Sequence, residues 1–128
     1  MRYLALDVGD RTIGLAVGEE TFGLARPLTT LRRRNVAADL ESLRSIVTKE
    51  DIGALVIGLP LTLSGDTGHQ ASRVRKFADS ARALALPIEL VDERFTTAEA
   101  ASRGATDLDA GAAVVLLEDY FSRKRRQR

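Results

Sequence analysis

The sequence predicts one mixed α/β domain. Three observations lead there: a length of 128 residues, a short two-stranded hairpin at the N-terminus, and an element order of β-β-β-α-β-α-β-α. Three consecutive strands followed by strands separated by helices imply a mixed five-stranded sheet. One half is antiparallel, the other parallel, and helices pack on its faces. The chain is long enough to bury a core without covalent staples.

Each element has its own signal. Residues 2–8 form an apolar run that ends at Gly9. In residues 12–18, Ile13, Leu15 and Val17 alternate with Gly14, Ala16 and Gly18, the period of a strand. Gly9, Asp10 and Arg11 between the runs read as a hairpin turn. A third strand is expected over 23–31, with Pro27 placing it at an edge or beside a bulge. Val36, Leu40, Leu43, Ile46 and Val47 share one face of a helix over 36–49. Residues 54–59 are a fully apolar strand stopped by Pro60, and 61–68 is an ordered loop with Gly65 and Gly68. A helix over 69–84 turns Val74, Phe77, Ala78, Ala81 and Leu84 inward. Pro87 precedes a last strand over 88–91, and helical segments are expected near 97–103 and 109–122.

Composition narrows the chemistry. There is no Cys, which removes disulfides and thiolate metal sites, and the single His69 removes a multi-histidine cluster within one chain. No stretch is apolar enough to span a membrane, and the N-terminus runs straight into a strand, so a cytoplasmic protein without a membrane partner is expected. The net charge of +1 conceals an asymmetry, because residues 123–128 hold five positive charges. Residues 1–122 then carry 14 basic against 18 acidic residues. The domain is therefore read as 1–122 with a basic tail over 123–128. Arg32, Arg33 and Arg34 form a second basic cluster. Either cluster suits nucleic acid, and either suits a solvated surface.

Three acidic positions stand out. Asp7 ends the first strand, Asp92 and Glu93 end the last, and Asp107 and Asp109 open the C-terminal helix. A carboxylate at the end of a core strand must be solvated, paired or bound to a cation. Two strand ends and one helix start can converge on a point that holds Mg²⁺ or Mn²⁺ through oxygen ligands. Two such ions about 3.5–4 Å apart can drive phosphodiester cleavage without His or Cys. Each acid has a structural rival. Asp7 can bond the turn amides of Gly9 and Asp10. Asp92 and Glu93 point to opposite faces, so only one can join Asp7. Thr106 with Asp109 and Thr96 with Glu99 fit capping boxes.

The Asp7-to-Gly14 hairpin is also similar to the phosphate-binding hairpin of the actin, Hsp70 and sugar-kinase superfamily. That superfamily clamps its nucleotide between two such domains, and this chain has the length of one. A glycine- and Ser/Thr-rich loop before the helix at 69 also suits an anion, with Arg73 and Lys76 on the polar side of that helix.

Five segments in order carry a further resemblance. They are Leu6-Asp7-Val8-Gly9 with Ile13-Gly14-Leu15-Ala16-Val17, then Val56-Ile57-Gly58-Leu59-Pro60-Leu61, then Gly65 and Gly68 with Arg73-Val74-Arg75-Lys76-Phe77-Ala78. The fourth is Asp92-Glu93-Arg94-Phe95-Thr96-Thr97, and the fifth is Asp109 with Ala112-Ala113 and Leu116-Leu117-Glu118-Asp119-Tyr120. The chain resembles the YqgF/RuvX family, relatives of the RuvC Holliday-junction resolvases with an RNase H-like fold. The resemblance implies catalytic metal ligands at Asp7, Glu93 and Asp109, with Asp92 and Asp107 as alternatives, and Mg²⁺ or Mn²⁺ as cofactor. It implies a nuclease whose substrate is nucleic acid, either the 5′ end of pre-16S ribosomal RNA or branched DNA. Arg11, Arg73, Lys76 and Arg94 are the candidates for backbone phosphates. Two departures stand out: Ala98–Leu108 is shorter than the usual Lys-rich stretch, and Asp107 occupies a position that is usually basic. Glu19 stands where Asp is common. The basic tail is expected to compensate, so that its removal weakens substrate binding and flattens the salt dependence. A non-catalytic nucleic-acid-binding or nucleotide-binding domain is the rival function, and a monomer and a homodimer are equally compatible.

Overall fold

A computed structural model describes residues 1–59, 69–92 and 108–127. The elements in chain order are β1 (Arg2–Val8), β2 (Thr12–Glu19), β3 (Leu24–Arg32), α1 (Val36–Lys49), β4 (Ala54–Leu59) and α2 (His69–Ala81). A 3₁₀ turn (Arg82–Leu84), β5 (Ile88–Asp92) and α3 (Leu108–Arg126) complete them. The expected element order is therefore found, except that the loop at 61–68 and the helical segment at 97–103 lie outside the described residues. The strands form one sheet in the order β3-β2-β1-β4-β5. β1 pairs antiparallel with β2 and parallel with β4, so the sheet changes character at β1.

The local reasons for these elements are visible. The Gly9 amide donates to the Thr12 carbonyl at 2.8 Å and closes the β1–β2 turn. β3 is an edge strand, and its pairing with β2 shifts register between Leu15 and Ala16, whose partners are Thr29 and Pro27. Both readings of Pro27, edge and bulge, hold. The Asn35 side chain caps α1 by accepting from the Ala38 amide at 2.9 Å. Leu43 is buried, whereas Val36 at the first turn is 40% exposed, outside the apolar stripe expected of it. The helix expected over 69–84 narrows to a 3₁₀ turn after Ala81. It ends at Ala85, whose φ of 59° is left-handed and cannot continue it.

The two faces of the sheet differ in chemistry. Leu4, Leu6, Val8, Ile13, Leu15, Val17, Leu55 and Ile57 face α1 and α2 and pack with Leu43, Val74, Phe77 and Ala81. The other face carries smaller side chains, Ala5, Ala16, Ala54 and Val56, and α3 lies on it through Ala113, Leu116, Leu117 and Phe121. Small residues on both sides let the helix approach closely. A Cβ on Gly18 would fall 2.7 Å from the Leu24 carbonyl oxygen and 3.0 Å from Leu117 Cδ2 and Phe121 Cε2. At the start of β1, Tyr3 meets Phe121 edge-on at 5.4 Å between centroids.

α3 corrects the expected boundary at residue 122. It runs through Arg126, so most of the basic tail is helix. Arg123 pairs with Asp119 at 2.9 Å one turn back, which supports the extension. Lys124 Nζ lies 2.7 Å from Glu20 Oε1 and donates to Tyr3 Oη at 2.8 Å. These bonds, Glu20 first, raise the Lys124 pKa above the usual lysine range. The contribution is therefore full below the ordinary lysine value and is lost as pH rises through the raised one. α3 meets the Tyr3 end of β1 through Phe121 and Lys124. The basic residues therefore anchor α3 at the end of the sheet away from Asp7.

Two outcomes follow from this packing. Gly18→Ala is expected to destabilise by about 1–3 kcal/mol through overpacking, read as a lower urea midpoint. Deleting residues 123–128 is expected to lower Tm while leaving the salt dependence of nucleic-acid binding as in the full chain. A flattened salt dependence would return the tail to the substrate.

Candidate active site

Asp7 is the penultimate residue of β1. Strand alternation puts it with Tyr3 and Ala5 on the α3 face, where it is partly buried. Its antiparallel neighbour is Gly14. On the other edge, the residue after the Leu6–Ile57 pair is Gly58, level with Asp7. The carboxylate thus stands between two positions without side chains. The Gly9 amide of the turn is directed to the Thr12 carbonyl.

β5 places one of the two neighbouring acids. Its register pairs Ile57 with Leu90, Gly58 with Val91 and Leu59 with Asp92. Val91 packs into the α3-side core. Asp92, the next residue, alternates to the face opposite Asp7. Glu93, Arg94 and Asp107 lie outside the described residues. Asp109 is in the first turn of α3, one turn before the buried Ala113, and its side chain lies outside the description. Among the described residues, no three His, Asp or Glu side chains gather as a metal site.

The basic candidates sit at the same sheet end, on the other face. Arg11 is exposed in the β1–β2 turn. Arg73 pairs with Asp10 at 2.8 Å, with both side chains about two-thirds exposed. Lys76 lies one turn further along α2 and is exposed. Arg73 and Lys76, with Arg33, Arg34 and Phe77, line a cleft of about 540 Å³. Arg33 is the residue that sequence reasoning misjudged as part of a solvated loop. Its guanidinium is 20% exposed, lies 5.1 Å from the centre of the Phe77 ring, and donates to Asp39 Oδ2 at 3.2 Å and the Gly9 carbonyl at 3.0 Å. Asp39, 3% exposed, is the only buried charged residue among those described. Its other oxygen accepts from the Arg34 amide at 3.1 Å. The sequence signal for this pair was weak: an acid in the first turn of a helix ordinarily serves the helix dipole at the surface.

A protein-family model described as "RuvX: Holliday junction resolvase" matches residues 1–123. The chain belongs to the RuvX family. One relative, from Moorella thermoacetica and named "Putative pre-16S rRNA nuclease", is 43% identical over 128 residues. That match covers 99% of this chain and 83% of the relative. A relative of the same name from an Anaeromyxobacter species is 42% identical over 132 residues, covering 94% and 96%. Among solved structures, Thermus thermophilus RuvC superposes with a TM-score of 0.67 at 13% identity, covering 98% of this chain and 97% of that one. The fowlpox virus resolvase in complex with Holliday junction DNA gives 0.64 at 10% identity, covering 97% and 99%. At such identities the likeness speaks for the fold alone, and the fold of this RuvX-family chain is RNase H-like.

The buried pair yields a stability expectation. Asp39→Ala strands Arg33 and the Arg34 amide, and the loss is expected to be on the order of 3 kcal/mol. Urea unfolding monitored by circular dichroism measures it.

Proposed function

We propose that this chain is a divalent-metal-dependent nuclease that hydrolyses phosphodiester bonds in structured RNA, with the 5′ end of pre-16S rRNA as its substrate. The observation that carries this reading is the position of Asp7 at a strand end, flanked by Gly14 and Gly58, in a chain of the RuvX family. The relatives named as pre-16S rRNA nucleases, at 42–43% identity over nearly the whole chain, favour RNA.

The roles divide as follows. Asp7, Glu93 and Asp109 would hold the metal. Their donors are hard carboxylate oxygens, which suit Mg²⁺ or Mn²⁺. When bound, the metal supplies Lewis acidity toward the phosphoryl group and an activated water. Arg11, Arg73, Lys76 and Arg94 would bind and orient backbone phosphates, fixing the strand relative to Asp7. Six aromatic residues, four Phe and two Tyr, with Tyr3, Phe77 and Phe121 buried, leave little for base stacking. Recognition through shape and phosphates fits better.

A second reading, cleavage of branched DNA, draws on the family's description as a Holliday junction resolvase. One assay separates the two: pre-16S RNA, single-stranded RNA and a four-way DNA junction, each with Mg²⁺ or Mn²⁺, run beside Asp7→Asn. Wild type is expected to cut the pre-16S substrate preferentially. Loss of an outer partner of a metal ligand already costs about 10–100-fold, so Asp7→Asn is expected to lose more than that with its Tm preserved. Preference for the junction would transfer the substrate to DNA, and cleavage unaffected by Asp7→Asn would sink the metal site. Stabilisation by ATP in a thermal shift would support the nucleotide-binding rival instead.

A further inference from the structure

The cleft between the β3–α1 connection and α2 is built as a site for anions. Four cations, Arg33, Arg34, Arg73 and Lys76, line it against two acids, Asp10 and Asp39. Asp39 does not face incoming ligands as a free carboxylate. It is buried, and its two oxygens accept from Arg33 and from the Arg34 amide. That arrangement fixes Arg33 in one orientation over Phe77. The Nε and Nη1 groups of Arg33 are used by Asp39 and the Gly9 carbonyl. Its Nη2 donors make no protein hydrogen bond among the described residues, which leaves one end of a rigid fork for an incoming oxyanion.

Asp10 is the other acid of the lining, and it is exposed. Its ion pair with Arg73 joins two side chains that are about two-thirds exposed. Such an exposed pair is weak, so a phosphate oxygen can displace the carboxylate. The cleft also has a fixed relation to Asp7. Arg33 bonds the carbonyl of Gly9, two residues beyond Asp7, and Asp10 follows. From the Asp7 end of β1, on the α3 face, the cleft lies across the turn at Gly9.

We propose that this cleft is the backbone-phosphate subsite for a strand passing the Asp7 end of β1, with Arg33, Arg34 and Lys76 as its donors and the Asp10–Arg73 ion pair as a gate that phosphate opens. The assignment rests on the nuclease reading for its ligand but requires no metal. Asp10 holds Arg73 while the cleft is empty and releases it to the phosphate on binding. Asp10 therefore opposes binding and favours release.

The test measures binding apart from cleavage. Fluorescence anisotropy of a labelled RNA hairpin with a single-stranded 5′ extension, in EDTA and over a salt series, compares wild type with Lys76→Gln, Arg34→Gln and Asp10→Asn. Lys76→Gln and Arg34→Gln are each expected to weaken binding severalfold. Each is also expected to lower the slope of log K against log salt by about 0.7–0.9, as for one lost phosphate contact. Asp10→Asn is expected to tighten binding. Equal affinities and slopes across the set overturn the subsite, and Asp10→Asn binding no tighter than wild type overturns the gate. Thermal melts of each variant exclude loss through unfolding. Inorganic phosphate alone, titrated at constant ionic strength in the same melts, is the second arm. Stabilisation that Lys76→Gln abolishes, without any effect of that change on RNA binding, would make the cleft a free-anion site and overturn the backbone assignment. The two readings fail separately. Binding that depends on the cleft without any cleavage removes the nuclease and keeps the subsite. Cleavage that depends on Asp7 with indifferent cleft variants does the reverse.

Discussion

β1 has a strand on each edge and a helix layer on each face, so each of its side chains has one place to go. Leu4, Leu6 and Val8 enter the core under α1 and α2, while Tyr3, Ala5 and Asp7 face α3. A slip of one residue would exchange the two sets. Asp7 would then enter a wall of leucine, isoleucine and valine, where an unpaired carboxylate costs several kcal/mol. The apolar face therefore fixes the register, and the register fixes the acid.

The other elements build on that strand. β4 continues its register in parallel and brings Gly58 level with Asp7, while β2 returns antiparallel and brings Gly14. The turn that makes the return possible exposes the Gly9 carbonyl to Arg33, which ties the basic cleft to the same strand end. Asp39 and Phe77 then hold Arg33 from the helix layer. Asp7 and the basic cleft lie on opposite faces of the sheet, and the acids that line the cleft are Asp10 and Asp39.

Much of this was legible in the sequence because the pattern is strict. Alternation of Ile13, Leu15 and Val17 with small residues identified β2, and the inward positions of α2 from Val74 to Leu84 are all buried. The end of α3 was misjudged because a run of Arg and Lys was read as charge alone. Arg and Lys are good helix formers, and Asp119 one turn before Arg123 is a stabilising pair. Alternation said that Asp92 and Glu93 face opposite ways, but only the pairing of β5 with β4 said that Asp92 is on the wrong side for Asp7. The Arg33–Asp39 pair was illegible for another reason: it closes across the Asn35 cap, and its burial depends on Phe77, almost forty residues away. The preference for Glu93 over Asp92 and for Asp109 over Asp107 rests on resemblance, and of the three expected ligands the Asp7 side chain alone is among those described.

The anchoring of α3 has a consequence for motion. Its far end is held by Tyr3, Glu20 and an aromatic cluster, and its near end rests on alanines. Alanines bury less apolar area than Tyr3 and Phe121 do, so among the described residues the packing of α3 on the sheet is heavier at its far end. Local opening that follows packing is expected to begin at the near turn, and amide hydrogens there to exchange sooner than those beside Phe121.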